Sequence, residues 1–203
     1  LAGVPMTRRM GHEPTPGPMR IAVLGTSNKT SPLELRERLA FPAYDMGAAL
    51  DAMKAHVPEG AILSTCHRTE LYAAAPSLAG VRAALTRFWS EQRGVSLRQH
   101  AGELYYLQDE EAVAHLFSVA SGMDSALFGE PQILGQVRDA LGQSLEHHTT
   151  GSVLSSVFRQ ALTVGKRVRT ETGIGRSAAS ISYAAVELAR AMFGDLRSSR
   201  VLL

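Results

Sequence analysis

Only one cysteine occurs among the 203 residues, which excludes an intrachain disulfide framework and a cysteine-based zinc cage. A lone thiol fits a reducing, cytoplasmic setting. Long hydrophobic runs are also missing: no stretch approaches the roughly 18 apolar residues of a membrane span, so no membrane association is expected. Nor does one sign of charge dominate. Lysine plus arginine count 21 against 19 acids, and the formal net charge of +2 is too small to announce nucleic-acid binding without a local basic patch. His12, His56 and His100 have no partner at metal-ligand spacing, and no metal site is expected. Repeats and low-complexity tracts are absent outside the N-terminus, which removes solenoids and linker arrays.

What is there is ordinary globular material, 45% hydrophobic and 20% charged. Residues 1–18, with four prolines and three glycines, read as a disordered leader without the apolar core of a secretory signal. Arg20 to Thr26 is an apolar run closed by Gly25, a strand signal. Ser31 and Pro32 then open a capped helical turn with Pro32 at its first position, and a second helix is expected from about Asp45 to Ala55. Ala61 to Ser64 and Glu70 to Ala75 form a hairpin around the polar stretch Thr65 to Thr69; Leu78 to Gln92 has helical period, and Leu104 to Leu107 is a further strand. This order is the split βαββαβ of a ferredoxin-like α+β fold, an antiparallel sheet with its helices on one face, spanning residues 19–108. From Asp109 the period turns helical: Glu110 to Ala120, Gln132 to His147, Val153 to Arg169 and Ala178 to Phe193. The apolar run at Val201 to Leu203 has the look of a strand cut short.

Cys66 is the first candidate for chemistry. A lone cysteine more often packs as a small apolar group than reacts, but Cys66 sits at a hairpin tip between Thr65 and His67-Arg68, and neighbouring cations favour the thiolate. His115 borders the apolar stripe of Val113, Leu116, Phe117 and Ala120; taken alone it is more often a hydrogen-bonded boundary residue than a catalyst. His147 and His148 read most simply as a favourable charge pair at a helix C-terminus. The loop Ser121 to Gln132 gathers small, polar and turn-forming residues that suit either a ligand or a plain connection. Arg159, Lys166 and Arg169 form a sparse basic stripe whose default is a solvated helix face.

Taken together, Gly25 to Pro32 (GTSNKTSP), Arg36 to Phe41 (RERLAF), Leu63 to Glu70 (LSTCHRTE), Ala120 to Arg138, Gly165 to Thr172 (GKRVRTET) and Ser180 to Ala189 (SISYAAVELA) resemble the glutamyl-tRNA reductases. The resemblance runs from about Met19 to Leu203. It implies a catalytic domain over residues 19–172, ferredoxin-like to 108 and helical from 109, with residues 173–203 beginning an NADPH-binding domain that is cut off. It also implies that Cys66 attacks the ester carbonyl of glutamyl-tRNA to give a thioester, which NADPH reduces to glutamate-1-semialdehyde for tetrapyrrole (porphyrin) biosynthesis. His115 then matches an activity-critical histidine, and Thr65, His67, Arg68, Ser125, Glu130, Pro131, Gln132 and Gln136 match substrate-binding positions. Arg68 would take the γ-carboxylate as a fork, and Glu130 would accept from the α-ammonium.

Two departures stand out. His67 occupies a position that is usually Asn in the family, and the glycine-rich loop expected after Leu203 is not in the sequence, so no cofactor-binding residue is expected in this chain. The family also implies a homodimer in the full-length enzyme and contact with glutamate-1-semialdehyde aminomutase, the next enzyme of the pathway. Other classes remain open: a module that only holds glutamyl-tRNA, which would have no need of Cys66, or a thiol esterase that loses its thioester to water.

Overall fold

A computed structural model describes residues 18–175, 181–196 and 200; most of the expected leader, and the strand expected at Val201 to Leu203, lie outside the described residues. The element order is β1 (Arg20–Ser27), α1 (Leu33–Leu39), α2 (Ala43–Met53), β2 (Glu59–Ser64), β3 (Arg68–Ala75), α3 (Val81–Arg93), a 3₁₀ segment Leu97–Glu103, β4 (Tyr105–Gln108), α4 (Asp109–Ala120), α5 (Gln132–Glu146), α6 (Ser152–Glu171) and α7 (Ile181–Phe193). The strands form one sheet in the order β2-β3-β1-β4, with every neighbouring pair antiparallel. That is the α+β, split βαββαβ arrangement the sequence pattern indicates.

The helices of residues 19–108 keep to one face, as expected, and those that follow cover the other. Ala22, Leu24, Ile62, Leu71 and Ala73 point toward α1, α2 and α3, where Leu39, Leu50, Phe88 and Trp89 complete one core. Their alternate neighbours Ile21, Val23, Ala61, Leu63 and Tyr72 point toward α4, α5 and α6, where Leu116, Val137, Leu154 and Phe158 complete a second. The face that a bare ferredoxin-like unit leaves open is therefore roofed by the helical part of the chain. Burial on both faces explains why β1 and the Leu71–Ala75 part of β3 read as continuous apolar runs and not as an alternation.

Local chemistry sets the boundaries. Pro32 stands just outside α1 as its N-cap and not within it, and Ser31 does not cap the helix; its hydroxyl turns instead to Thr26 Oγ1 at 2.7 Å. The start of α6 has no cap from its own sequence neighbours. Glu59, at the start of β2, supplies it, accepting from the backbone N–H of Leu154 at 2.8 Å and of Val153 at 3.3 Å. A carboxylate at a helix N-terminus meets both unpaired donors and the positive end of the helix dipole, which ties the helical roof to the edge of the sheet. Among the described residues no helix is long and apolar enough to cross a membrane.

Candidate active site

The hairpin turn is tighter than its polarity indicates. Only Thr65, Cys66 and His67 lie between the strands; Arg68 and Thr69 already belong to β3 and are buried. The Thr65 N–H donates to the Arg68 carbonyl at 2.8 Å, and Thr65 Oγ1 accepts from the N–H groups of His67 and Arg68 at 3.2 and 3.1 Å. From outside the turn, the Asn28 N–H donates to the His67 carbonyl at 2.9 Å and Arg36 Nη1 to the Cys66 carbonyl at 2.7 Å. The backbone of the tip is thus fixed from both sides, while Cys66 itself is exposed.

Behind the tip lies a carboxylate with four donors. Glu70 is fully buried. It accepts from Arg68 Nη1 at 2.7 Å, Tyr72 OH at 2.5 Å, Tyr105 OH at 2.5 Å and His115 Nε2 at 2.8 Å. Burial opposes its charge, but His115 and Arg68 outweigh burial and hold Glu70 well below the usual carboxylate range. Burial, reinforced by the Glu70 charge, pushes the phenols of Tyr72 and Tyr105 far above theirs, so both remain protonated donors. Burial also works against the Arg68 cation, and Glu70 more than compensates. Gly25 makes room for this network: a Cβ there would stand 2.6 Å from the Tyr105 ring, so only glycine lets Tyr105 lie against β1 and reach Glu70.

Arg68 is not a free fork at the tip. Its Nη2 donates to the Asp124 carbonyl at 2.6 Å and to Asp124 Oδ2 at 2.9 Å, and Lys29 Nζ pairs with the other oxygen of the same carboxylate. Asp124 belongs to the loop between α4 and α5, which is fastened at its far end: Arg169 donates to the carbonyls of Gly129 and Glu130. Arg169 therefore faces inward, unlike the solvated stripe expected of it, while Arg159 and Lys166 are exposed. Gly122 and Gly129, at φ +76° and +80°, bracket the loop in the left-handed region that glycine tolerates.

The structure thus joins Thr65, Cys66, His67 and Arg68 to His115 through Glu70, and to the 121–131 loop through Asp124. Of the remaining expected residues, Ser125 is half-buried and Glu130 buried in that loop, and Pro131 and Gln132 are exposed where α5 begins. Gln136, on α5, lines a cleft of about 180 Å³ with Phe41, Ser64, Asp139 and Gln143, immediately before the tip. The ring of His67 is only partly exposed, and its Nε2 is buried without a partner among the described residues. Sequence reasoning missed Glu70, Tyr105, Asp124, Lys29 and Arg36. The signal available was Glu70 itself, a carboxylate leading straight into the apolar stretch Leu71–Ala75 of β3, which must be paired when buried.

Residues 24–172 match the family profile described as glutamyl-tRNAGlu reductase, N-terminal domain. The chain is 48% identical over 187 residues to a glutamyl-tRNA reductase of Pelotomaculum thermopropionicum and 46% identical over 187 residues to that of Syntrophotalea carbinolica, covering 91% of this chain and 42% of each relative. The solved glutamyl-tRNA reductase from Methanopyrus kandleri superposes with a TM-score of 0.66 at 31% identity, over 86% of this chain and 40% of that one. The chain spans about two fifths of the length of these relatives. It belongs to the glutamyl-tRNA reductase family, of which it carries the N-terminal domain.

Proposed function

We propose that this chain performs the acyl-transfer half of glutamyl-tRNA reduction, with Cys66 as nucleophile. The observation that carries the reading is an exposed thiol on a turn whose backbone is fixed by Arg36, Asn28 and Thr65. In the step, the Cys66 sulfur bonds to the ester carbonyl carbon, the bond from that carbon to the ribose oxygen breaks, and the departing oxygen takes a proton. The product is a glutamyl thioester, which accepts hydride more readily than an oxygen ester and divides one hard step into two.

His115 supports the proton traffic through its tautomer. Glu70, an ionised carboxylate, can only accept, so His115 Nε2 must donate to it, and in the neutral ring Nδ1 carries the lone pair. Tyr105 packs edge-on against the ring at 5.2 Å and fixes its plane. Arg68 supplies the cation for the substrate's side-chain carboxylate, and Thr65, His67, Ser125, Glu130, Pro131, Gln132 and Gln136 border the seat of the acyl group. The family's NADPH would supply the hydride that turns the thioester into glutamate-1-semialdehyde, a precursor for tetrapyrroles. The described residues do not fit that cofactor: the sheet is wholly antiparallel, whereas a dinucleotide turn needs a parallel βαβ unit, so no step here is routed through it.

Acid-quenching the chain with glutamyl-tRNA labelled in its glutamate tests the reading. Label should remain on the wild type and be lost in Cys66→Ser, whose hydroxyl is a far weaker nucleophile at neutral pH; equal labelling of the two would remove Cys66 from the reaction.

A further inference from the structure

Arg68 cannot receive a substrate carboxylate as the site stands. Its side chain is 2% exposed, Nη1 is committed to Glu70 and Nη2 makes both of its bonds to Asp124. The two carboxylates that hold it are not equivalent. Glu70 is 0% exposed and bound by three further donors, so it has nowhere to go. Asp124 is 22% exposed, and its carboxylate bridges Arg68 to Lys29, whose own side chain is 53% exposed. A change of side-chain rotamer releases that carboxylate to water while the Asp124 carbonyl stays on Arg68.

Charge counting points the same way. Lys29 and Arg68 contribute two positive charges, and Glu70 and Asp124 two negative ones. A third carboxylate added to this set would leave an uncompensated charge at a largely buried site, which is strongly disfavoured. Exchange for Asp124 keeps the set neutral and hands the newcomer the same two cations.

We propose that Asp124 is a resident carboxylate occupying the seat of the substrate's side-chain carboxylate, and that substrate binds by displacing it from Lys29 and Arg68. This rests on the acyl-transfer reading for the identity of the substrate, but not for the exchange itself. Asp124 and Lys29 are specificity residues under this account. Only an incoming anion can take over both cations, whereas an amide of the same shape leaves them without a counter-charge.

The test uses two substitutions that break the same ion pair from opposite ends. Binding of L-glutamate α-methyl ester, which presents a free side-chain carboxylate beside an esterified α-carboxyl, is measured by calorimetry on the chain and its variants, with L-glutamine α-methyl ester as the neutral control. Asp124→Asn removes the competitor at nearly constant shape and should tighten binding of the glutamate ester about tenfold; Lys29→Gln removes a cation of the seat and should weaken it by a similar factor. With glutamyl-tRNA, the acylation KM should split in the same opposite directions. A purely structural bridge would move both variants the same way, and that result, or unchanged affinity in Asp124→Asn, overturns the proposal. Thermal melts establish that each variant is folded. With the calorimetry done in a Cys66→Ser background, so that binding is read apart from acyl transfer, failure of the acyl-transfer reading would show as loss of labelling in the intact chain with these shifts unchanged.

Discussion

Replacing Glu70 by Gln should cost more stability than any other single polar substitution in the site. Gln keeps the shape of the side chain but removes the charge, and its one carbonyl oxygen must serve where two carboxylate oxygens accept four bonds of 2.5–2.8 Å. The amide group would also aim a donor at a position where donors already point. Arg68, itself buried, would keep Asp124 as its only anionic partner among the described residues. Breaking a buried pair by removing one charge costs about 3–5 kcal/mol. For a chain of this size that corresponds to a fall in Tm of roughly 6–20 °C. The pH dependence supplies an internal control. Glu70 is held below its ordinary pKa, so its contribution is complete above the unfolded value near 4.3 and is lost as pH falls toward the depressed folded value. Wild-type stability should therefore decline below about pH 4 more steeply than that of Glu70→Gln. Denaturant titrations at neutral and acid pH measure both effects. A neutral-pH difference under about 1 kcal/mol would refute the reasoning, since that is the size of an exposed pair.

Arg68→Lys should weaken discrimination of glutamyl-tRNA over glutaminyl-tRNA by about 1–3 kcal/mol, because one ammonium cannot spread its donors to Glu70 on one side and a second carboxylate on the other as the guanidinium does; acylation rates with the two esters compare them. Gly165→Ala tests the crossing of α4 and α6: the added Cβ would stand 2.6 Å from the Ala120 carbonyl oxygen and 2.8 Å from Leu134 Cδ1. Overpacking of about 1–3 kcal/mol should outweigh the helix-propensity gain of about 1 kcal/mol, and a rise in Tm would show that the helices separate freely.

The fold was legible wherever structure follows from neighbours in sequence. Strand order, the hairpin, the exposed tip at Cys66 and the helical second half all rest on turn residues and periodicity over a few positions. Long-range partners were not legible. Arg68 and Thr69 read as turn residues because they are polar, yet Arg68 is buried by Asp124, 56 positions away. Arg169 read as solvated because its helix neighbours are, yet the carbonyls it binds lie about 40 positions back. Ser31 read as a cap until Thr26 became the nearer partner. The second face of the sheet was hidden for a related reason, since strands buried on both faces lose the alternation that would mark which side is covered. At the site, the family motif marked the tip and the loop, while the buried Glu70 network that organises them depends on β1, β3, β4 and α4 coming together.

The central claim is that Cys66 forms a covalent glutamyl intermediate, and mass spectrometry of the acid-quenched chain tests it most directly. After brief exposure to glutamyl-tRNA, the peptide containing Cys66 should gain the mass of one glutamyl group, and hydroxylamine, which cleaves thioesters, should remove it. The peptide should stay unmodified in Cys66→Ser. A glutamyl adduct that persists in that variant, or that lies on any other residue of the wild type, would contradict the account.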